Sequence, residues 1–257
     1  MNGAFEVGAA GLRAEQKALE ILANNIANVN TAGFKRSETQ FSEILAQRAN
    51  AEIAEPVATG DILAAAGGVR VTARETFLSQ GTLRPTDNPL DIAIDGQGFI
   101  ELMGPNGRSL FWRGGRLQVN EDGLLATAAG LPLRATINVP MDLSALAISA
   151  DGIVSAETTA GDRLELGQIG LVRVERETEL ERVEGGLLQL VDGARPIDTV
   201  AAEDGSGRLV QGSIEESNVA LTEEMVQMMI VQRAYAANAQ AVQIADQLAA
   251  ITNNLRQ

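Results

Sequence analysis

Cysteine and histidine are both absent from the 257 residues. Disulfides, thiolate nucleophiles, imidazole bases and zinc sites built on nitrogen or sulfur are thereby excluded. Aromatic residues make up only 3% of the chain, so its core must be aliphatic and finely interdigitated rather than built on large rings. Lysine is confined to Lys17 and Lys35, and the formal net charge is −14. That balance disfavours nucleic acid, whose binding scales with the phosphates neutralised by clustered Lys and Arg. It disfavours anionic membrane surfaces for the same reason. No run of about 20 apolar residues is present, so membrane insertion is not expected. Nor does MNGAFEVGAAGLRAEQK read as a cleavable signal.

What is present is 45% apolar residues, enough for one large domain or two modest ones. Apolar residues recur every seven at Phe5, Leu12, Leu19 and Ile26, with Leu22 and Val29 as a second row. This predicts a helix with a coiled-coil-like seam, ending between Asn28 and Gly33. At the other end Ile230, Ala237, Ile244 and Ile251 repeat the pattern, with Ala234, Ala241, Leu248 and Leu255 four residues after each. Thr222, followed by Glu223 and Glu224, is the expected helix start. Between Met225 and Leu255 the only charges are Arg233 and Asp246, and between Ile21 and Phe34 there are none. A helix exposed on one side normally carries a charged face. The bland alternative, a closed two-helix hairpin, leaves that missing charge unexplained, so neighbouring subunits are expected. Asn24, Asn25 and Asn28, disfavoured in helix interiors, suggest polar contacts across an interface, with fraying of the helix as the alternative.

Between the helices the chain is punctuated by Asp95-Gly96, Asn106-Gly107, Asp122-Gly123, Asp151-Gly152, Asp192-Gly193 and Asp204-Gly205, each a turn signal. Leu90, Ile92 and Ile94 alternate with Asp91, Ala93 and Asp95, predicting a half-buried strand, and Leu171, Val172 and Val174 suggest an edge or half-buried one. The expected class is α+β: residues 1–36 and 217–257 form a terminal helical assembly domain, 37–68 an extended connector, and 69–216 an all-β domain.

Candidate chemistry is thin. Gly96-Gln97-Gly98 lacks the third glycine and the following helix of a dinucleotide fingerprint. Asn120-Glu121-Asp122-Gly123 lacks the ligand spacing of a calcium loop. No carboxylate pair is singled out for glycoside hydrolysis, and no Ser-x-x-Lys occurs. Neither an enzyme nor a cofactor is expected, and no catalytic or metal residue is assigned.

Three blocks together resemble the flagellar rod and hook family. They are Ala23-Asn24-Asn25-Ile26-Ala27-Asn28-Val29-Asn30-Thr31-Ala32-Gly33-Phe34-Lys35-Arg36; Ser79 to Phe99, containing Asn88-Pro89-Leu90-Asp91-Ile92-Ala93-Ile94-Asp95-Gly96; and Glu216-Ser217-Asn218-Val219 running on to Gln232-Arg233-Ala234-Tyr235-Ala236-Ala237-Asn238. One departure is Phe111-Trp112-Arg113-Gly114-Gly115, where relatives carry a Tyr-Thr-Arg-Asp-Gly type of segment. The resemblance implies a non-catalytic rod subunit in the basal body, exported by the flagellar machinery and assembled in the periplasm. Its implied partners are its own copies in a helical homopolymer, other rod subunits and hook protein at the ends, and the surrounding rings. The distal-rod type is expected, with the proximal rod subunit as the near alternative and a β-domain binding module as one of a different class. Residues expected at the assembly interface are Leu12, Leu19, Leu22, Asn24, Asn25, Ile26, Asn28, Ile230, Tyr235, Ile244, Leu248, Ile251 and Leu255.

Overall fold

A computed structural model describes residues 2–44, 68–140, 143–158, 163–176, 179–191, 194–203 and 205–254. Two long helices, α1 (Asn2–Ala27) and α2 (Leu221–Asn254), bracket a strand-rich middle, the α+β arrangement that the sequence predicts. The chain divides into two compact units. The first comprises both helices and residues 37–75; the second comprises residues 28–36 and 76–219.

In the first unit, β1 (Ser37–Ile44) pairs antiparallel with β2 (Gly68–Glu75), in register from Ser37 opposite Glu75 to Ile44 opposite Gly68. This ribbon packs on α1. The sequence reading put residue 37 in a connector and began the β domain at 69. The ribbon instead groups with the helices, because its pairing and its contacts run to α1. Most of the expected connector, residues 45–67, lies outside the described residues. Helix α2 also starts one residue before Thr222: the Glu224 amide donates to the Ala220 carbonyl at 3.1 Å, which puts Thr222 inside the first turn.

In the second unit, β4 (Asp91–Asp95) lies between β16 (Arg208–Gln211) and β7 (Gly114–Val119), which pairs onward to β8 (Leu125–Thr127). A six-stranded sheet runs β13 (Leu180–Arg182), β14 (Leu188–Leu190), β6 (Ser109–Trp112), β5 (Phe99–Met103), β12 (Leu171–Arg173), β15 (Ile197–Thr199). Three strands, β9 (Leu143–Ile148), β10 (Ile153–Thr158) and β11 (Arg163–Gln168), form a meander, and β3 (Leu83–Pro85) pairs with β17 (Ser213–Glu215). Turn chemistry sets these reversals: Gly123 adopts φ 75°, which a side chain would oppose.

Two strands are more deeply placed than their patterns predict. Ile92, Ala93 and Ile94 are all fully buried, and even Asp91 is buried, so β4 is covered on both faces. Asp91 tolerates this because Arg116 pairs with it at 3.1 Å and Asn88 donates to it at 3.1 Å. Likewise β12 is no edge; it sits between β5 and β15. The main core is aliphatic, centred on Ile92, Ile94, Ile100, Leu102, Leu117, Leu125 and Leu171. The scarce rings concentrate in a second cluster, where Phe77, Phe99 and Phe111 pack with Val172 and Leu180.

Candidate functional site

The helices form an antiparallel hairpin whose inner seam is built on small residues. A Cβ on Gly8 would meet Val242 at 2.6 Å, and one on Gly11 would meet Asn238 at 3.4 Å. Ala14, Ala18, Ile21, Leu22 and Asn25 continue the buried stripe of α1. Such residues let two backbones approach closely, and polar pairs then fix the register. Asn25, fully buried, donates to the Ser37 carbonyl at 2.8 Å and to Glu224 at 3.0 Å, and accepts from the Ser37 amide at 3.0 Å. Farther along, Asn238 donates to Glu15 at 2.6 Å. Burial pushes the Glu15 carboxyl above its ordinary range, and the Asn238 hydrogen bond partly offsets this.

With Glu224, Asn238 and Val242 turned toward α1, the opposite side of α2 stays exposed among the described residues. Met225, Met229, Ile230, Ile244, Leu248 and Ile251 are between 49% and 57% exposed. A helix advances about 100° per residue, which puts these side chains in one broad stripe facing away from α1. These six large apolar side chains share their arc with exposed Arg233, Gln240, Gln243 and Gln247, and so many of them is unusual for a surface that stays in water.

The residues expected at an interface therefore occupy four settings. Ile230, Tyr235, Ile244, Leu248 and Ile251 are exposed on α2. Leu12, Leu19 and Ile26 form a half-buried row along one flank of α1, with Asn24 exposed. Leu22 and Asn25 lie inside the hairpin seam. Asn28, half-buried, caps a turn by accepting from the Thr31 hydroxyl at 3.2 Å. Leu255 lies outside the described residues.

Sequence reasoning missed a buried charge cluster in the second unit. Lys35 donates to Glu215 at 2.5 Å and to the Ser79 carbonyl at 2.6 Å. The Gly81 amide donates to the same Glu215 oxygen at 2.8 Å, and the other oxygen accepts from Arg113 at 3.2 Å. Arg113 also donates to the carbonyls of Gly96 and Gly98. All three charged side chains are 4% exposed or less. Burial, and then the charge of Arg113, hold the Lys35 ammonium below its ordinary value, while Glu215 pulls the other way. Arg182 closes the cluster from outside, donating to the Lys35 carbonyl and stacking 4.5 Å from the Phe34 ring centre. The available signal was Lys35 itself, one of two lysines in the chain. Its partners, 78 and 180 residues away, have no local mark.

The second unit also has a shallow cleft beside β15, lined by Ile100, Leu171, Gln168 and Thr199. Its Arg134 is already engaged by Glu101 at 2.6 Å and Asp198 at 3.0 Å. No charged group is left aimed at a ligand there, and the apolar face of α2 is the stronger candidate. Among the described residues no group of His, Cys, Asp or Glu has the arrangement of a metal site. No described helix is long and apolar enough to cross a membrane.

Comparison with known proteins agrees with this geometry. Residues 5–35 match the profile of the "Flagella basal body rod protein" family, residues 93–156 the "Flagellar hook protein FlgE/F/G D1 domain", and residues 210–255 the "Flagellar basal body rod FlgEFG protein C-terminal". The chain is 36% identical to the flagellar basal-body rod protein FlgG of Buchnera aphidicola subsp. Schizaphis graminum, covering 93% of this chain and 94% of that one. It is 33% identical to FlgG of Borreliella burgdorferi over 100% and 99% of the two chains, and 33% identical to FlgG of Caulobacter vibrioides over 98% and 99%.

Proposed function

Because the chain belongs to the flagellar basal-body rod family, we propose that it is a distal-rod subunit whose polymerisation is driven by the outward face of α2. It is a structural component of the flagellar basal body and assembles with other flagellar components. The observation that carries the proposal is the row of half-exposed Ile230, Ile244, Leu248 and Ile251 on a helix whose other side is already packed.

Completing the burial of each such side chain contributes on the order of 1 kcal/mol, about half the value for full burial. One stripe of six is of the same order as the cost of immobilising a subunit, about 4–15 kcal/mol. Several neighbours per subunit are therefore needed, as a tube provides. Contacts between different patches repeat without closing and generate an open helical filament. Such a filament is stiff and hollow and transmits torque; its role is mechanical, not catalytic. Its ends meet other rod subunits and hook protein, rings surround it, and the flagellar export machinery delivers it to the periplasm without signal cleavage. The overall match to FlgG chains supports the distal over the proximal type, and the occupied charges of the β15 cleft weigh against a binding module.

The test is the assembly of purified full-length protein measured by sedimentation. Ile244→Asp should raise the critical concentration at least about tenfold, since burying an unpaired carboxylate costs several kcal/mol. Assembly of that variant at the wild-type concentration would sink the proposal.

A further inference from the structure

Within the outward stripe of α2 stands one charge. Arg233 lies in the same arc as Ile230, Ala237 and Ile244, is exposed, and makes no ion pair among the described residues. Asp246, the other charge between Met225 and Leu255, sits about 140° away around the helix, on the side toward α1. If a second copy covers the stripe, the Arg233 guanidinium loses water, and that loss is heavy unless a carboxylate replaces it. Resting on the reading that this stripe is a subunit interface, we infer that Arg233 is paired by Glu20 of the neighbouring copy, as α2 of one chain packs on the Leu12–Leu19–Ile26 flank of α1 in the next.

The geometry narrows the choice in two steps. An α2-to-α2 contact across a two-fold axis would close into a dimer and could not propagate a filament, although Glu223, exposed one heptad before Ile230, borders the stripe. The occupant is therefore a different surface of the second copy. The flank Leu12, Leu19, Ile26 is half-buried and apolar, and repeats every seven residues as Ile230, Ala237, Ile244 and Ile251 do. Heptad rows on both sides are what a helix-to-helix seam requires. Gln16 and Glu20 border this flank, with Arg13 one heptad before Glu20 on the same edge and Lys17 farther round α1. Of the described acid side chains on α1, Glu15 is sealed in the hairpin. Glu20 is 56% exposed and held at 3.0 Å by Lys17, itself 57% exposed. An exposed pair of that kind contributes little, so Glu20 is readily redirected to an arginine arriving at the rim, where the long side chain can reach it. Arg233 thereby selects which surface, and which register, the next subunit adopts.

The absence of native cysteine makes the test clean. Full-length Glu20→Cys and Arg233→Cys chains are mixed under assembling concentrations with a mild oxidant. The expected product is a mixed 20–233 disulfide, and a chain carrying both substitutions should give a ladder of linked oligomers. In parallel, Arg233→Glu and Glu20→Arg should each raise the critical concentration about tenfold, and their combination in one chain should restore it to within about threefold. Homodimers of Arg233→Cys in place of the mixed product, or a double charge swap no better than either single, would overturn the pairing. The Ile244→Asp chain separates the two readings. If it fails to assemble while no 20–233 bond forms, the stripe remains an interface and the Glu20 assignment is wrong; if it assembles normally, both are.

Discussion

Two cations and one anion share the buried cluster of Lys35, Arg113 and Glu215, and that imbalance makes an asymmetric prediction. Removing Glu215 leaves two buried positive charges facing each other. Glu215→Gln should therefore cost about 3–5 kcal/mol of stability, the range for breaking a buried pair. Lys35→Met leaves a one-to-one Arg113–Glu215 pair and should cost roughly half as much or less; chemical unfolding of both variants checks the order. Glu15 makes a pH prediction. Its folded carboxyl is raised from an ordinary 4.5, so between that value and the raised one the folded chain holds more protons than the unfolded one. Stability then falls as pH rises through this window, and below 4.5 the penalty is absent. Glu15→Gln, which can still accept from Asn238, should raise the melting temperature at pH 7, with the gain shrinking as pH drops toward 4.5. An equal gain at both pH values would contradict a titrating origin. At this scale the sequence was least legible: Lys35 and Glu215 are 180 residues apart, and only the fold brings them together.

At the scale of elements, the hairpin depends on the absence of a side chain at Gly8, where a Cβ would come within 2.6 Å of Val242. Gly8→Val should separate the helices locally and lower the melting temperature of the first unit, read as lost helical circular dichroism. Gly8→Ala should do the same more mildly. Both helices were legible from their heptad periodicity, and α1 ends at Ala27, next to the expected stop. Which face turns inward was not. Periodicity marks Leu12, Leu19 and Ile26, the row expected between subunits, and does not single out the inner stripe of Ala14, Ala18, Ile21, Leu22 and Asn25. Small residues carry little hydrophobic signal, but they allow the closest approach, and close packing decides the seam. With apolar residues on two sides of each helix, a single sequence cannot say which side belongs to its own chain. The strand β1, Ser-Glu-Thr-Gln-Phe-Ser-Glu-Ile, was missed for a related reason. Its polar residues form no alternating pattern, and its pairing with β2 across the 23 intervening residues has no local cue.

For the whole molecule, the division of labour follows from where unsatisfied surface remains. The strand-rich unit has an internal aliphatic core around Ile92, Ile100 and Leu171. The helical unit keeps a long apolar stripe in water. Its stability is then linked to assembly by mass action, and protease resistance of the helices should increase with protein concentration while the β unit stays uniformly resistant. The most direct measurement is a helical reconstruction of the assembled full-length chain at side-chain resolution. Ile230, Ile244, Leu248 and Ile251 of each subunit should be covered by another copy, with α1 of the neighbour over them. A polymer in which those four side chains face solvent, with subunits joined through their β units alone, would contradict assembly by the helices.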